Sequence, residues 1–176
     1  VSTGVHNVAV GHQVGSALTT GSRNVLVGKG ANTAGGSAGT VSDSVIIGSA
    51  TTTNVNESVS IGYNTSVAGL RGLAIGHTAA ASGARSVALG NDSTASASGA
   101  IAIGGNNGAG APIAAGIEAI AIGVTARTGS GAGNVMVGAN TGDLAITGSQ
   151  NVAVGLNAGQ SIGASFRTVS LGYQSN

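Results

Sequence analysis

The chain is poor in the residues that build large cores and many reactive sites. Its 176 residues include no cysteine, no tryptophan, one phenylalanine, two tyrosines and one proline. Without cysteine there is neither a disulfide framework nor a thiolate metal site. With so few aromatic residues, no large side chains are available to thicken a hydrophobic core.

Charge is equally scarce. Only 6% of the residues are charged and the net charge is +1, so the chain lacks the basic patch of a nucleic-acid-binding protein and we expect no nucleic-acid partner. No apolar run approaches the length of a membrane-spanning helix, so we expect no direct membrane insertion by this segment. The 33 glycines follow no Gly-X-Y period, which excludes collagen.

What the chain does contain is a five-residue motif, here called the box, that occurs eleven times. It consists of a polar or small residue, an aliphatic residue, a usually small residue, a second aliphatic residue and glycine. The separations between box glycines are 17, 20, 14, 14, 14, 14, 19, 15, 17 and 17 residues, as expected for coils of a solenoid. The box glycines are Gly11, Gly28, Gly48, Gly62, Gly76, Gly90, Gly104, Gly123, Gly138, Gly155 and Gly172.

The box predicts one short parallel strand in each coil, because mostly β-branched residues alternate with small ones up to a glycine. Weaker alternation over residues 78–81 and 94–97 predicts a second strand. The sequence does not show whether the aliphatic residues fill the roll or face a neighbouring chain. The central candidates for core or interface are Val59, Ile61, Leu73, Ile75, Val87, Leu89, Ile101 and Ile103.

We therefore predict an all-β fold, a flat parallel β-roll solenoid of about 11 coils and roughly 50 Å in length at the usual strand spacing. Residues 1–176 are expected to form a single domain. Because the chain starts at Val1 with no initiator methionine or signal peptide, we expect a fragment of a longer fibrous protein. The thin core favours an oligomer, and the alternative is a monomeric solenoid with capping elements outside this segment.

The few charges are concentrated at one position, two residues before the first box aliphatic. Seven of the eleven charged residues lie there, a set we call the ladder. The ladder is either a solvated turn position or an edge between protomers. In the second case, Glu57 and Arg71 of adjacent coils pair within one chain or across chains. Arg85 occupies the next ladder position. The ladder residues are His6, Arg23, Asp43, Glu57, Arg71, Arg85, Gly99, Glu118, Gly133, Gln150 and Arg167.

Candidate chemistry is sparse. His6, His12 and His77 lie in separate coils without the spacing of a metal motif. Asp43, Asp92 and Asp143 are single acids in different coils, so neither a metal nor a calcium site is expected. The many serines and threonines have no matched base and acid, so we expect no enzyme and no cofactor.

The box and its flanks resemble a known family. The segment GLAIGHTAAASGARSVALGNDSTASASGAIAIG, residues 72–104, resembles the head repeats of trimeric autotransporter adhesins, the family typified by the Yersinia adhesin. The terminal coils have a 17-residue period, found in some adhesin heads and similar to repeats of bacteriophage tail fibres.

This resemblance implies a left-handed β-roll in which three chains form a homotrimeric head. The implied function is adhesion to a host extracellular-matrix protein, a cell-surface receptor or another cell. Such a head is extracellular and displayed on the Gram-negative outer membrane. The alternative is a shaft or receptor-binding segment of a phage tail fibre, on a virion.

Two inserts interrupt the repeat. Residues 29–44 and 105–119 are longer than the minimal connection, and the second contains Pro112. Loops on a rigid scaffold are common recognition sites, so these inserts are either binding loops or tolerated insertions.

Overall fold

The computed structural model describes residues 3–33, 38–105, 110–142 and 145–175. These form an all-β parallel solenoid, as the sequence predicts, with about ten turns in place of the expected 11 coils, and they contain no α-helix. One short 3-10 helix spans Ala38–Thr40. Two parallel sheets run along the solenoid, with eleven and six strands in the described part.

The box strands form the first sheet. Its strands are β1 (Val8–Val10), β2 (Val25–Val27), β4 (Val45–Ile47), β6 (Val59–Tyr63), β8 (Leu73–His77), β10 (Val87–Leu89), β12 (Ile101–Ile103), β14 (Ile120–Ile122), β15 (Val135–Val137), β16 (Val152–Val154) and β17 (Val169–Leu171). The second sheet consists of β3 (Asn32–Thr33), β5 (Thr52–Thr53), β7 (Ser66–Val67), β9 (Ala80–Ala81), β11 (Thr94–Ala95) and β13 (Ile113–Ala114).

Neighbouring coils stack without any shift in register. Ser60 pairs with Ala74, and the same middle position of the box pairs along the whole sheet. Equivalent residues of successive coils therefore form straight columns, one strand spacing of about 4.8 Å apart. Each residue in a column must therefore fit beside its equivalent in the next coil at that distance.

The structure settles which face of the box points inward. The middle residue is fully buried in the interior coils, as at Ala74, Ala88 and Ala102. The two aliphatic residues that flank it face outward and are half-buried in these coils, except for Leu89, which is exposed. The interior of the roll is thus lined by alanine, and the large aliphatic side chains lie on its outer surface.

The size of the buried residues varies along the roll. The central core cluster consists of alanines and Val67, and it continues through Ala114, Ala121 and Ala126 of the longer coils that follow. Near the N-terminus, Leu18, Leu26 and Ile46 form a second cluster. Met136 and Ile146 belong to a third cluster near the C-terminus. The interior of the two end regions therefore holds larger side chains than the centre.

The ladder is a column of left-handed turn residues. All eleven ladder positions have positive φ, between 55° and 68°. This conformation is uncommon for residues other than glycine, yet it recurs here at Arg23, Glu57 and Arg71. The turn directs each of these exposed side chains into solvent beside the first sheet.

Buried asparagines satisfy the backbone next to this turn in the longer coils. The side-chain nitrogen Nδ2 of Asn24 donates to the Val41 carbonyl (2.7 Å), and the side-chain oxygen Oδ1 of Asn24 accepts from the backbone amide of Ser44 (3.1 Å). Asn134 repeats this arrangement with the Gly148 carbonyl and the Asn151 amide. Such side chains replace water as partners of buried backbone groups.

The box glycines combine positive φ with close approach between coils. At Gly62, φ is +137°, and a Cβ atom would overlap the carbonyl oxygen of Gly76. At Gly104, φ is +143° and a Cβ atom would lie 2.8 Å from the Gly123 oxygen. At Gly172, φ is +113° but no atom lies within 4 Å of that position.

We expect alanine substitutions at these three glycines to differ in effect. All three impose backbone strain of about 1–3 kcal/mol, but only Gly62→Ala and, less severely, Gly104→Ala add an overlap with the next coil. The loss of unfolding free energy should therefore fall in the order Gly62, Gly104, Gly172. Urea unfolding followed by circular dichroism measures it. Equal losses at all three positions would show that backbone strain alone requires glycine.

Candidate interaction surface

The outward aliphatic residues of the first sheet form a continuous strip, here called the aliphatic face. It is two side chains wide and runs the full length of the sheet, about 50 Å at the usual strand spacing. Its interior members are half-buried, whereas those of the end coils are exposed, such as Val8 (51%) and Val169 (66%). Contiguous apolar surface of this length is typical of interaction sites.

The eight central aliphatic residues predicted as core or interface all lie in the aliphatic face. Val59, Ile61, Leu73, Ile75, Val87, Ile101 and Ile103 are half-buried, and Leu89 is exposed. None belongs to the buried core clusters, which the alanines fill instead.

The ladder flanks one edge of the aliphatic face and carries ion pairs between successive coils of the same chain. Arg71 Nε donates to Glu57 Oε2 (2.6 Å), and Arg23 Nε donates to Asp43 Oδ1 (2.5 Å). The hydrogen bond from Arg23, with its positive charge, holds the pKa of Asp43 below its ordinary value. Farther along, Arg167 Nε donates to Gln150 Oε1 (3.1 Å). Of the two pairings that the sequence leaves open for Glu57 and Arg71, the single chain forms the one within itself.

Within the part of the chain that the structure describes, Arg85 and Glu118 form no ion pair. Arg85 lies one coil beyond Arg71, so two like charges are adjacent in the column, as are Asp43 and Glu57. Glu118 lies two coils beyond Arg85, with Gly99 between them. Both Arg85 and Glu118 are exposed.

The opposite edge is formed by the residues that directly follow the box glycines, here called the edge row. Its most ordered part is a pair of aromatic rings on adjacent coils. Tyr63 stacks on His77 with ring centroids 5.1 Å apart and an angle of 16° between the planes. Strands β6 and β8 extend past their box glycines to include this pair. The edge row consists of His12, Lys29, Ser49, Tyr63, His77, Asn91, Gly105, Val124, Ala139, Leu156 and Tyr173.

Our sequence analysis did not identify the Tyr63–His77 pair. A signal was nevertheless present, since the two residues are 14 positions apart and each follows a box glycine. Residues one repeat apart occupy the same column of a solenoid and therefore touch. Two aromatic residues at that spacing predict a stack.

Beside this pair lies a short polar network. Thr78 accepts or donates a hydrogen bond with His77 Nδ1 (3.3 Å), and its hydroxyl donates to Asp92 Oδ1. His6 and His12 flank the two ends of strand β1, whereas His77 and the described acids lie on other coils. No group of three or more metal-ligating side chains occurs in the described residues. Asp143 lies outside the described residues.

The described parts of the two inserts rejoin the solenoid. In the first insert, Thr33 is buried in β3. In the second, Pro112 is buried and its carbonyl accepts from the Thr94 amide (3.0 Å). Residues 34–37 and 106–109 lie outside the described residues. No helix in the described residues has the length and apolar character needed to cross a membrane.

Comparison with known proteins identifies the central coils. Residues 56–79, 68–93 and 81–107 each match the model of the YadA head domain repeat (2 copies). Residues 56–107 therefore form a trimeric autotransporter adhesin head-like region. No curated protein sequence matches the chain.

This YadA head-like region contains the strands from β6 to β12 and most of the 14-residue coils. The resemblance inferred from residues 72–104 is thus confirmed for this part of the chain. The region includes the Glu57–Arg71 ion pair, the Tyr63–His77 stack and most of the alanine core.

The Glu57–Arg71 pair gives a stability prediction within one chain. Arg71→Glu removes the hydrogen-bonded pair with Glu57 and places three acids, at positions 43, 57 and 71, in successive coils. The new acid also lies beside Arg85, which offsets part of this loss, so we expect a slightly lower melting temperature. The double exchange Glu57→Arg with Arg71→Glu should recover most of the loss, because it restores opposite charges between coils. The effect should be small and should shrink at high salt, since both groups are solvent-exposed.

Arg85→Glu is the matched control for this experiment. It changes the same charge at the next ladder position, keeps the Glu57–Arg71 pair and replaces the like-charge neighbours 71 and 85 by opposite charges, so it should not lower the melting temperature. Thermal unfolding followed by circular dichroism at low and high salt separates these cases. Equal losses in Arg71→Glu and Arg85→Glu would contradict a specific pair.

Proposed function

We propose that this chain is the adhesive head of a trimeric bacterial surface adhesin. The observation that carries the proposal is the YadA head repeat within a solenoid whose first sheet turns the two flanking aliphatic residues of each box outward. In the proposed head, three chains pack side by side with their aliphatic faces toward a common threefold axis. The roll is left-handed, as in the family that residues 72–104 resemble.

The physical argument for a trimer is the distribution of apolar groups. Alanine fills most of the roll, so each chain contributes few apolar atoms to its own core. The larger Val, Ile and Leu side chains remain partly in water unless another surface covers them. Burying them favours association through the hydrophobic effect. A second and a third copy of the chain offer a surface of matching length and coil spacing.

The proposed head is part of a longer fibre and lies outside the cell, held on the Gram-negative outer membrane by segments beyond residues 1–176. Its ligand is a host extracellular-matrix protein or a cell-surface receptor, contacted along a rigid, repetitive rod. Parallel solenoids of this kind serve as structural and adhesive elements, so catalysis is not part of the proposal. The alternative is that the chain is a shaft or receptor-binding segment of a phage tail fibre. The 17-residue coils at both ends favour it, because they are similar to tail-fibre repeats.

The trimer is tested by light scattering. The segment should have a mass near three times 16.4 kDa. Ile75→Lys places a charge in the centre of the aliphatic face and should yield a folded monomer, because residue 75 does not belong to the core of its own chain. Ala80→Lys, at an outward position of the second sheet, is the matched control and should remain trimeric.

Two outcomes would contradict the trimer. One is a folded mass of 16.4 kDa for the unchanged segment. The other is a trimer that persists in Ile75→Lys, which would place the contact elsewhere. If Ile75→Lys unfolds, the β-sheet circular dichroism spectrum is lost, and the aliphatic face is then needed for the fold of each chain. In that case Val8→Lys, in the exposed end coil, is the milder variant with which to test assembly.

Adhesion is tested separately from assembly. Beads that carry the segment should bind to surfaces coated with matrix proteins or to cultured host cells. In solution, the monomeric Ile75→Lys variant should bind to the same surfaces more weakly than the trimeric segment, because it loses multivalency. Binding equal to that of uncoated beads, from a segment shown to be trimeric, would favour the fibre-shaft function.

A further inference from the structure

We propose that the edge row contains a subsite for an acidic saccharide, bounded by Tyr63 and Lys29 with Ser49 between them. This inference deepens the adhesive function proposed above and rests on it, because it names a ligand class for the head. The subsite lies within one chain. Its existence can therefore be tested whatever the oligomeric state.

The three residues lie on consecutive coils. The Ala50 amide donates to the Lys29 carbonyl (3.0 Å), and the Asn64 amide donates to the Ser49 carbonyl (3.0 Å). The Thr78 amide continues the series by donating to the Tyr63 carbonyl (2.9 Å). The order along the edge row is thus Lys29, Ser49, Tyr63 and His77, with one strand spacing between neighbours.

The aromatic stack leaves one ring face available. The Tyr63 and His77 centroids are 5.1 Å apart, close to one strand spacing, so the stack runs along the solenoid axis. The other face of the Tyr63 ring is turned toward the coil of Ser49. Tyr63 is 55% exposed.

The coil of Ser49 provides room for a ring-shaped group. Its side chain is small, whereas the next residue beyond it, Lys29, is long and exposed. Tyr63 and Lys29 are two strand spacings apart, about 9.6 Å. A flat group stacked on Tyr63 at the distance that His77 adopts on the other side would occupy the level of Ser49 and reach toward Lys29.

The charge of this edge selects an acidic ligand. Lys29 is the single lysine of the chain, and its ammonium has no hydrogen-bond or ion-pair partner among the described residues. Among the described residues, the first acid met along this edge beyond His77 is Asp92, which accepts from Thr78. A carboxylate on the bound group would therefore meet one cation and no anion.

A pyranose ring with a carboxylate satisfies both requirements. Its axial C–H groups can lie on the face of an aromatic ring, which carries partial negative charge. Its carboxylate can accept a hydrogen bond from Lys29, and its hydroxyls can exchange hydrogen bonds with Ser49. Uronic acids of glycosaminoglycans and terminal sialic acids share this chemistry.

The experiment measures binding of defined saccharides to the unchanged segment by isothermal titration calorimetry and saturation-transfer NMR. The probes are a tetrasaccharide of alternating glucuronate and N-acetylglucosamine, a sialylated trisaccharide and a neutral N-acetylglucosamine tetrasaccharide. We expect one or both acidic probes to bind. Comparison of the glucuronate probe with the sialylated probe shows whether the ligand is a uronic acid or a sialic acid. The neutral probe should bind at least tenfold more weakly.

Three variants locate the subsite. Tyr63→Ala removes the stacking surface, and Ser49→Phe fills the space while both bounding residues remain. Each should weaken binding of the acidic probe about tenfold, the loss expected from one aromatic contact. Lys29→Gln should remove the preference for the acidic probe. Tyr173→Ala, which changes the exposed tyrosine of the last coil in the same row, is the matched control and should bind normally.

The outcomes separate this inference from the proposed trimer. If neither acidic probe binds, or if Ser49→Phe binds as well as the unchanged segment, the subsite is wrong, even where the mass is that of a trimer. Equal binding of the neutral probe overturns the role of Lys29. Should Tyr63→Ala alter the solution mass while no saccharide binds, Tyr63 is a contact between protomers and not a ligand site. A monomer that binds the acidic probe supports the subsite while overturning the trimer.

Discussion

The structure depends on parallel stacking of coils without a shift in register. Because each residue lies one strand spacing from its equivalent in the next coil, every position in the repeat must tolerate a copy of itself at about 4.8 Å. The strictest position is the box glycine, where a Cβ atom at Gly62 would overlap the carbonyl of Gly76. The ladder meets the same demand differently, since Glu57 and Arg71 in adjacent coils carry opposite charges.

The same constraint explains why the core is made of alanine. A 14-residue coil with two short strands encloses a narrow space, so only small residues such as Ala74 and Ala88 fit between the sheets. Leu26 and Met136 occur in the middle of the box where neighbouring coils are longer. The apolar residues that would fill the core of an ordinary domain are displaced to the outside. The interaction surface is therefore a direct consequence of how little space the coil encloses.

The sequence predicts the repeat, the strands and both sheets well, because strict alternation and the box glycines determine them locally. It does not predict the orientation of the box, since alanine and valine are both apolar and a strand with two apolar faces has no preferred interior. The left-handed ladder turn at Arg23 or Glu57 is also unexpected, because such side chains seldom adopt positive φ. Tyr63 and His77 were predictable as neighbours, but only once their spacing is compared with the repeat.

In a repeat protein the informative residues are those that the stacking does not determine. Columns inside the roll hold mostly small residues in the central coils, and the box glycine column holds glycine, so those positions say little about ligands. The edge row has no such restriction, because its side chains project beyond the sheet into solvent. The sequence there passes from Lys29 through Ser49 to Tyr63 without any demand from the fold. Where the fold does not restrict a position, residues that differ from coil to coil are available for recognition.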